Sequence, residues 1–489
     1  VENKNSSIKV TDGSALAYAK GTNSKITVSN SLLDYSGEGY SLYTENGGKI
    51  DADNSVLVLR GKAVGMRVTS ATNGDISFAN GKIVMMSNDA IPFVASDITT
   101  TVNASNILTG LGLPSTITIA KGKEGTTVYN KYKIAAVDGM TKLNIDQDLD
   151  KKYATDDANE TSSDLSKKAS YDLFRRYLIQ RAKVEVNGHK IKAVLDDSDL
   201  TTLDTTQTVG LEMNSSKNAT SKTETSIDLK NNAEIIADKK GSGSGAVGAY
   251  INYGLVNIDA TSKIEVEKDA TTGNTANDSA VGVYAVNGSE VSNAGTITVG
   301  GNQSIGILGL AYREALNNVT NKIEPVVNEF GTTATNQGKI KIKNTKDIDV
   351  SSGENTVGIY AMNNNTSSAV ADHTVENTGN IIVGNSTGTN TSIGIYSDKA
   401  KVLPKDGTIK IGEKAVGIYA KDSIVGATGD NLGNIDFAGE KGVGIYLKDT
   451  STLLGNKVTL KQTTAGTLKG KVGILADSLT NKTLTTEVV

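Results

Sequence analysis

The chain has 489 residues, among them 51 glycines, 4 prolines and no cysteine, and its formal net charge is −4. Disulfides and thiolate metal sites are therefore excluded, and the charge shows no global bias toward nucleic acid or anionic membranes. No apolar run of about 18 residues occurs, so no membrane-spanning helix is expected. A chain of this length predicts several domains or a repeat array rather than one core.

The first predicted segment, 1–97, carries loose copies of two glycine-centred motifs. NGGKID at 46–51 and NGDISF at 73–78 place an alternating apolar pattern after a turn-forming Asn-Gly pair. AVGMRV at 63–68 also alternates in the manner of a half-buried strand. We therefore expect strand-bearing repeat units over this segment.

The second predicted segment, 98–204, lacks these motifs and is expected to be an inserted α/β subdomain. Its best helix candidate is 162–184, which follows a capping box made by Thr161 and Asp164. Apolar residues recur there at helical spacing, namely Leu165, Ala169, Leu173 and Tyr177. After it, alternating apolar residues flank an Asn-Gly pair, which predicts a β-hairpin over 184–195.

Arginine and aromatic residues cluster in the predicted helix. Three of the six arginines of the chain lie within seven residues of one another. Arginine beside aromatic side chains is the composition of protein-binding hot spots. The candidate partner-binding residues are Tyr171, Phe174, Arg175, Arg176, Tyr177 and Arg181. The alternative for each of them is a solvated helix face whose aromatic rings pack on the rest of the protein.

The third predicted segment, 205–489, repeats the two motifs many times. Copies of the first are AVGVYA at 280–285, TVGIYA at 356–361, SIGIYS at 392–397, AVGIYA at 415–420 and GVGIYL at 442–447. Copies of the second, N-x-G-x-I-x-apolar, are NAGTITV at 293–299, NQGKIKI at 336–342, NTGNIIV at 377–383 and NLGNIDF at 431–437. The glycines Gly394, Gly417, Gly444 and Gly473 are 23, 27 and 29 residues apart, a spacing typical of a solenoid.

Both motifs predict strands. In TVGIYA, strict alternation places Val357, Ile359 and Ala361 on one buried face, with Gly358 and Tyr360 on the other. Two strands for each repeat unit, turns at Asn-x-Gly and no helix in the unit predict an all-β fold, a right-handed parallel β-helix. A propeller blade needs about 40 residues, which is longer than the observed spacing, so a β-propeller is disfavoured. A β-sandwich is the other alternative.

Segment 312–331 interrupts the motifs of the third segment. We expect a small helical insertion there, helical up to about Ile323. Solenoids tolerate surface insertions, and these often carry the binding face.

Tyrosine recurs at one position of the first motif, at Tyr250, Tyr284, Tyr360, Tyr396, Tyr419 and Tyr446. Stacked in register, these rings are either a platform for sugars or a ladder that stabilises one face of the fold. Leu308 and Leu475 take the same position in SIGILG and KVGILA. Because leucine cannot replace an aromatic platform, the stabilising ladder is favoured.

No arrangement of catalytic residues stands out. A polysaccharide-cleaving β-helix needs paired carboxylates or a carboxylate-bound calcium ion with a basic residue, and the acidic pairs here lie outside the repeats. Only two histidines occur, so no histidine-rich metal site is expected. We expect no enzyme activity, no cofactor and no metal.

Together, the AVGIYA and N-x-G-x-I-x-V units over about 10–90 and 205–478 resemble the passenger repeats of large type V secreted autotransporter adhesins. The resemblance is strongest to the fusobacterial galactose-binding and RadD-like adhesins. In that family a passenger β-helix is displayed outside the outer membrane and tethered by a C-terminal β-barrel. Members bind host-cell glycans, immune receptors and other bacteria. The chain has neither the signal peptide nor the barrel of that pattern, so the resemblance implies one portion of a passenger.

The sequence and its resemblance thus predict a segment of a bacterial cell-surface adhesin, tethered to the outer membrane in the full-length protein. Expected partners are a host cell-surface protein receptor, a host glycan or other bacteria, and not nucleic acid. The alternatives are a β-helical polysaccharide lyase or hydrolase, and a passive spacer, with all recognition elsewhere in the parent chain.

Overall fold

The computed structural model describes residues 1–489 except 70–74, 113–115, 130–131, 151–158, 162–172, 174–175, 196–207, 240–244, 268–278, 318–319, 328, 331–336, 365–368, 463–469, 479–486 and 489. Its residues form two compact units, Val1–Val184 and Glu185–Val489. The division lies inside the predicted insertion, and the predicted boundaries at 97/98 and 204/205 stay predictions. The fold is all-β, with largely parallel sheets.

The first unit contains short strands separated by turns. In chain order they are β1 Ser7–Val10, β2 Ala15–Lys20, β3 Lys25–Thr27, β4 Leu32–Tyr35, β5 Tyr40–Glu45, β6 Lys49–Asp51, β7 Val56–Leu59, β8 Val64–Thr69, β9 Ile76–Ser77, β10 Lys82–Met85, β11 Ile91–Asn103, β12 Thr118–Lys121, β13 Lys123–Glu124, β14 Thr127–Val128, β15 Ala135–Ile145, β16 Leu149–Asp150, β17 Asn159–Thr161 and β18 Tyr177–Asn187, the last crossing into the second unit. A short helix, α1 Ile107–Gly110, follows a 3-10 turn at Ala104–Asn106.

Strands of the first unit pair with the strand about one repeat further along the chain. β1, β4, β7, β10 and β12 form one parallel sheet, β2, β5, β8, β11 and β15 a second, and β3, β6 and β9 a third. In register, Leu33, Leu57, Ile83 and Ile119 stack into a fully buried column. β12 and β15 belong to the segment that was predicted to be a separate subdomain, and they extend the same two parallel sheets.

The predicted helix at 162–184 is wrong in its last third, because β18 begins at Tyr177. Leu173 and Arg176 are helical, and the rest of 162–175 lies outside the described residues. Burial along β18 alternates up to Ile179 and again from Ala182, with a change of phase at Arg181. Arg181 adopts a left-handed φ of 50°. This one-residue shift breaks the alternation in the sequence and leaves apolar spacings that resemble a helix.

The second unit contains β19 Lys190–Leu195, β20 Val209–Asn214, β21 Ser226–Lys230, β22 Glu234–Lys239, β23 Val247–Asn252, β24 Leu255–Ile258, β25 Lys263–Val266, β26 Val281–Val286, β27 Glu290–Asn293, β28 Thr296–Val299, β29 Ile305–Leu310, β30 Glu314–Asn317, β31 Lys322–Pro325, β32 Lys341–Asn344, β33 Ile348–Val350, β34 Val357–Met362, β35 Thr374–Asn377, β36 Ile381–Val383, β37 Ile393–Asp398, β38 Lys401–Pro404, β39 Thr408–Ile411, β40 Val416–Lys421, β41 Ile424–Val425, β42 Asn431–Phe437, β43 Val443–Lys448, β44 Thr452–Leu453, β45 Lys457–Lys461, β46 Val472–Asp477 and β47 Glu487–Val488. Two 3-10 turns lie at Lys222–Glu224 and Val370–Asp372.

These strands form three parallel ladders. The first ladder contains the VGIY-type strands β20, β23, β26, β29, β34, β37, β40, β43 and β46. The second ladder runs through β21, β24, β27, β32, β35, β38, β41 and β44. The third runs through β19, β22, β25, β28, β33, β36, β39, β42, β45 and β47. Each repeat therefore supplies three strands, and the prediction of two is wrong.

The strand that was missed belongs to the second ladder, whose short members mix polar and apolar residues. NQGKIKI was grouped with NAGTITV, but Lys341–Asn344 pairs with Glu290–Asn293 of the second ladder. Inward positions of this ladder include asparagine: the amide nitrogen of Asn293 donates to the amide oxygen of Asn344, and Asn344 to Asn377, both at 2.7 Å. Because asparagine occupies inward positions, the apolar alternation that predicts a strand is absent here, and the strand was not predicted.

The glycine of the first motif faces the interior, which corrects the predicted alternation. In β34, Val357 is half-buried whereas Gly358 and Ile359 are both buried. A Cβ on Gly358 would lie 2.2 Å from Cγ2 of Ile381 in the third ladder and 2.6 Å from the carbonyl oxygen of Gly394. The repeat therefore requires glycine because two ladders approach too closely for any side chain.

Two further local predictions are wrong. β19 pairs in parallel with β22, and Gly188 donates its N–H to the carbonyl of Lys230, so 184–195 is a corner between strands rather than a hairpin. Conversely, 312–331 contains no described helix: β30 and β31 form an antiparallel hairpin. Leu316 and Ile323 form a cross-strand pair in this hairpin. The predicted helix did not place these two residues together.

Candidate binding surface

Two of the predicted partner-binding residues are structural. Arg176 and Tyr177 expose only 4% and 1% of their surface. Nη1 of Arg176 donates to the carbonyl of Tyr132 at 3.1 Å, and its guanidinium lies 5.1 Å from the ring centroid of Tyr132. Because both side chains are inside the first unit, the prediction that they contact a partner is wrong.

Arg181 also serves the first unit. Its Nη2 lies 2.6 Å from Oδ1 of Asp97, and its Nε lies 3.1 Å from Oδ1 of Asp138. These two carboxylates hold the guanidinium at the bulge of β18. Tyr171, Phe174 and Arg175 lie outside the described residues, so their predicted role stays a prediction.

The hairpin of β30 and β31 exposes an apolar surface. Leu316 is 57% exposed, Ile323 is 72% exposed and Val327, just after β31, is 51% exposed. Leu316 and Ile323 are directly paired across the two strands, so their side chains lie on one face. Among the large apolar side chains of the described residues, these are the most exposed apart from Val1. We call Leu316, Ile323 and Val327 the hairpin face.

The base of this hairpin is fixed to the ladders by charge and hydrogen bonds. Nε of Arg313 lies 3.1 Å from Oε2 of Glu329, which closes the two ends of the insertion on each other. Oε2 of Glu329 also accepts from the amide of Asn287 at 2.6 Å, and the backbone N–H of Arg313 donates to Oδ1 of Asn287 at 2.9 Å. Asn287 is fully buried, so this contact anchors the hairpin to the interior.

A stacked pair of rings provides a second anchor. Phe330 lies 5.0 Å from Tyr253 between ring centroids, with an interplanar angle of 18°, and both are buried together with Ala219. Burying two aromatic rings contributes several kcal/mol in general. The hairpin face is therefore held out from a rigid base rather than carried on a loose loop.

The tyrosines of the first ladder form a column, as their register predicts. The ring centroids of Tyr360 and Tyr396 are 4.5 Å apart at 13°, and those of Tyr396 and Tyr419 are 5.3 Å apart at 12°. Tyr396 stacks on both of its faces, and Tyr360 and Tyr419 each stack on one face. A sugar needs a free aromatic face, so the stacked part of the column has the geometry of a stabilising ladder and not of a sugar platform.

Burial and neighbouring carboxylates disfavour the phenolates of the column. Burial is the main cause that raises the pKa of Tyr250, Tyr284, Tyr360 and Tyr396. Tyr446 differs, because its hydroxyl donates to Oδ2 of Asp477 at 2.7 Å, and this hydrogen bond raises the pKa of Tyr446 to about 12. These five tyrosines are therefore neutral at physiological pH.

Within the part of the chain that the structure describes, no group of three or more histidine, aspartate or glutamate side chains is arranged to hold a metal ion. No helix among the described residues is both long and apolar enough to cross a membrane. Sequence reasoning missed the hairpin face, although three aliphatic residues in a polar insertion were visible as a signal. Comparisons with family models, with curated proteins and with solved structures find no match to this chain.

Proposed function

We propose that the repeats form a right-handed parallel β-helix, and that the chain is a segment of a bacterial surface adhesin that contacts a protein on the target cell through the hairpin face. Support for the β-helix comes from three parallel ladders in which each strand pairs with its counterpart in the next repeat. Parallel connections of this kind are overwhelmingly right-handed.

The ladders support a displaying role because they continue across the hairpin without a break. β29 pairs with β34, and β27 with β32, although the insertion lies between them in the chain. The hairpin is thus an addition to a complete stack, and such additions are where solenoids often place a binding face. A stiff support that presents one contact on each molecule suits multivalent attachment, in which weak contacts add through effective concentration.

The observation that carries the proposal is the exposed cross-strand pair of Leu316 and Ile323. Isolated exposed leucines are common, but an exposed apolar pair on an anchored two-stranded sheet is a recognised feature of contact surfaces. The hairpin face contains aliphatic residues and no aromatic ring, which favours an apolar protein surface over a glycan.

The test is binding of the purified chain to host epithelial cells, with wild type compared with the double variant Leu316→Ser/Ile323→Ser. Loss of two buried aliphatic contacts should weaken binding about tenfold or more, since about 1.4 kcal/mol corresponds to tenfold. Leu32→Ser is the matched control, because Leu32 is also an exposed leucine in a strand but lies in the first unit. Binding should also be lost when the cells are treated with protease and kept when they are treated with glycosidases.

Two results would overturn the proposal. Saturable binding that the double variant retains would remove the hairpin face from the contact. No saturable binding by the wild-type chain would leave a passive spacer as the better account of the fold.

A further inference from the structure

The tyrosine column of the first ladder is interrupted beside the hairpin. Tyr284 is in register with Leu308, and Leu308 with Tyr360. The ring of Tyr284 contacts Tyr250, and the ring of Tyr360 contacts Tyr396, but no ring contact joins Tyr284 to Tyr360. The rings of Tyr250 and Tyr284 meet edge to face at 88°, whereas those of Tyr360 and Tyr396 stack at 13°. Leucine is shorter than tyrosine, so Leu308 places no ring between Tyr284 and Tyr360. We call this position the column gap.

The width of the column gap follows from the strand spacing. Tyr284 and Tyr360 are two strands apart, or about 9.6 Å at roughly 4.8 Å for each step. A planar group midway between them would lie about 4.8 Å from each ring. Adjacent rings of the column stack at a similar separation, which is 4.5 Å between the ring centroids of Tyr360 and Tyr396. The spacing of the column gap therefore matches one planar group that stacks on Tyr360 and contacts Tyr284.

The charge beside the column gap is negative. Glu314 begins β30 six residues after Leu308, and its exposed carboxylate accepts from the amide of Asn364 at 3.1 Å. It influences both rings, because its charge helps to raise the pKa of Tyr284 and of Tyr360. No cation pairs with Glu314 among the described residues, whereas the neighbouring Arg313 is matched by Glu329.

We propose that the column gap receives an arginine side chain of the protein partner, stacked on Tyr360, in contact with Tyr284 and paired with Glu314. A cation over a tyrosine face is attracted by the ring quadrupole. Arginine fits better than lysine because its guanidinium is planar, stacks on aromatic faces and presents a fork to a carboxylate. The inference rests on the proposed function and adds a polar anchor beside the apolar hairpin face.

The test uses a small probe and needs no identified partner. Protein labelled with fluorotyrosine is titrated with Nα-acetyl-arginine amide and followed by fluorine NMR, with Tyr284→Phe and Tyr360→Phe used for assignment. The signals of these two tyrosines should shift saturably at millimolar concentrations. Nα-acetyl-citrulline amide, which has nearly the same shape without the charge, should leave them in place.

Leu308→Tyr fills the column gap with the residue that the column uses elsewhere, so it should fold and abolish the shifts. Leu475→Tyr is the matched control, because Leu475 holds the same register position next to Tyr446 and lies away from the hairpin. Glu314→Gln should weaken the arginine response about threefold, as expected for an exposed ion pair. Fluorine signals of the other tyrosines report whether each variant is folded.

Equal shifts with the citrulline probe, unchanged shifts in Leu308→Tyr, or no shift with the arginine probe would overturn the inference. The proposed function is tested separately. If the hairpin face variant loses cell binding while the arginine titration is silent, only the column gap is refuted. If arginine binds but wild type does not attach to cells, the adhesin proposal fails and the site remains.

Discussion

His373 should remain neutral far below the pH at which histidines usually titrate. Its side chain is fully buried near the start of β35. Nδ1 accepts a long hydrogen bond from the backbone N–H of Ile340 at 3.4 Å, and Nε2 has no hydrogen-bond partner among the described residues. Burial lowers the pKa of His373 to about 4; Lys339 acts in the same direction and Asp372 opposes it.

The shift makes the stability of this region depend on pH. An unfolded histidine has a pKa of about 6.5, so the folded value is lower by roughly 2.5 and the linked free energy is on the order of 3 kcal/mol. Because the unfolded chain binds the proton more readily, stability is complete above pH of about 6.5. It should fall as the pH drops toward the folded value of about 4, and change no further from this group below it.

The assay is proton NMR of the imidazole ring. The chain has only two histidines, so His189→Gln leaves a single signal and assigns it. That signal should titrate with a midpoint near 4. Hydrogen exchange over Val370–Asn377 should become faster on acidification, and His373→Leu should remove this dependence. A midpoint near 6.5 in the folded protein, the usual value, would refute the argument from burial.

Three other changes test the ladders by hydrogen exchange and absorbance. Tyr360→Phe should leave protection of the neighbouring strands unchanged, whereas Tyr360→Ala should weaken it by about 1 to 2 kcal/mol, since ring stacking and not the hydroxyl holds the column. Gly358→Ala should destabilise its repeat by roughly 1 to 3 kcal/mol through overpacking, while Gly388→Asn, at an open left-handed position, should be near neutral. In alkaline titration followed by phenolate absorbance, Asp477→Asn should lower the pKa of Tyr446 from about 12.

The parallel ladders could be predicted because their causes are local and repeated. Glycine is required where two ladders touch, and isoleucine lies opposite it in most repeats, so both recur in the sequence at the repeat spacing. Ile264, Ile297, Ile348, Ile381, Ile409 and Ile435 stack in the third ladder and are buried. A pattern of this kind identifies strands that pair with their own copies.

The errors arose where a residue's environment is set by distant contacts. The second ladder was missed because buried amides such as Asn344 satisfy one another across repeats, which no local pattern reports. The bulge at Arg181 is held by Asp97 and Asp138, which are far from it in the chain. Its shift of phase made a strand resemble a helix.

For the candidate site too, the sequence reported local composition but not the contacts between residues distant in the chain. The Arg-aromatic cluster was chosen by composition, and composition cannot tell a buried arginine from an exposed one; Arg176 stacks on a tyrosine inside the first unit. The hairpin face depends on which residues lack neighbours, and that is a property of the whole fold. Leu316 and Ile323 are ordinary core residues in the sequence and become a surface only because nothing described covers them.

Leucine at the tyrosine position has a different meaning in its two occurrences. At Leu475 the column passes from Tyr446 to a leucine in register with it. At Leu308 the substitution occurs in the strand that leads directly into the hairpin, and the column resumes at Tyr360. Loss of one ring contact costs about 0.5 to 1.5 kcal/mol. Tyr284 and Tyr360, on either side of Leu308, do not recover it, because their rings make no contact with each other. The departure at Leu308 coincides with an insertion on the same surface, and the arginine titration of Leu308→Tyr measures whether that coincidence is used.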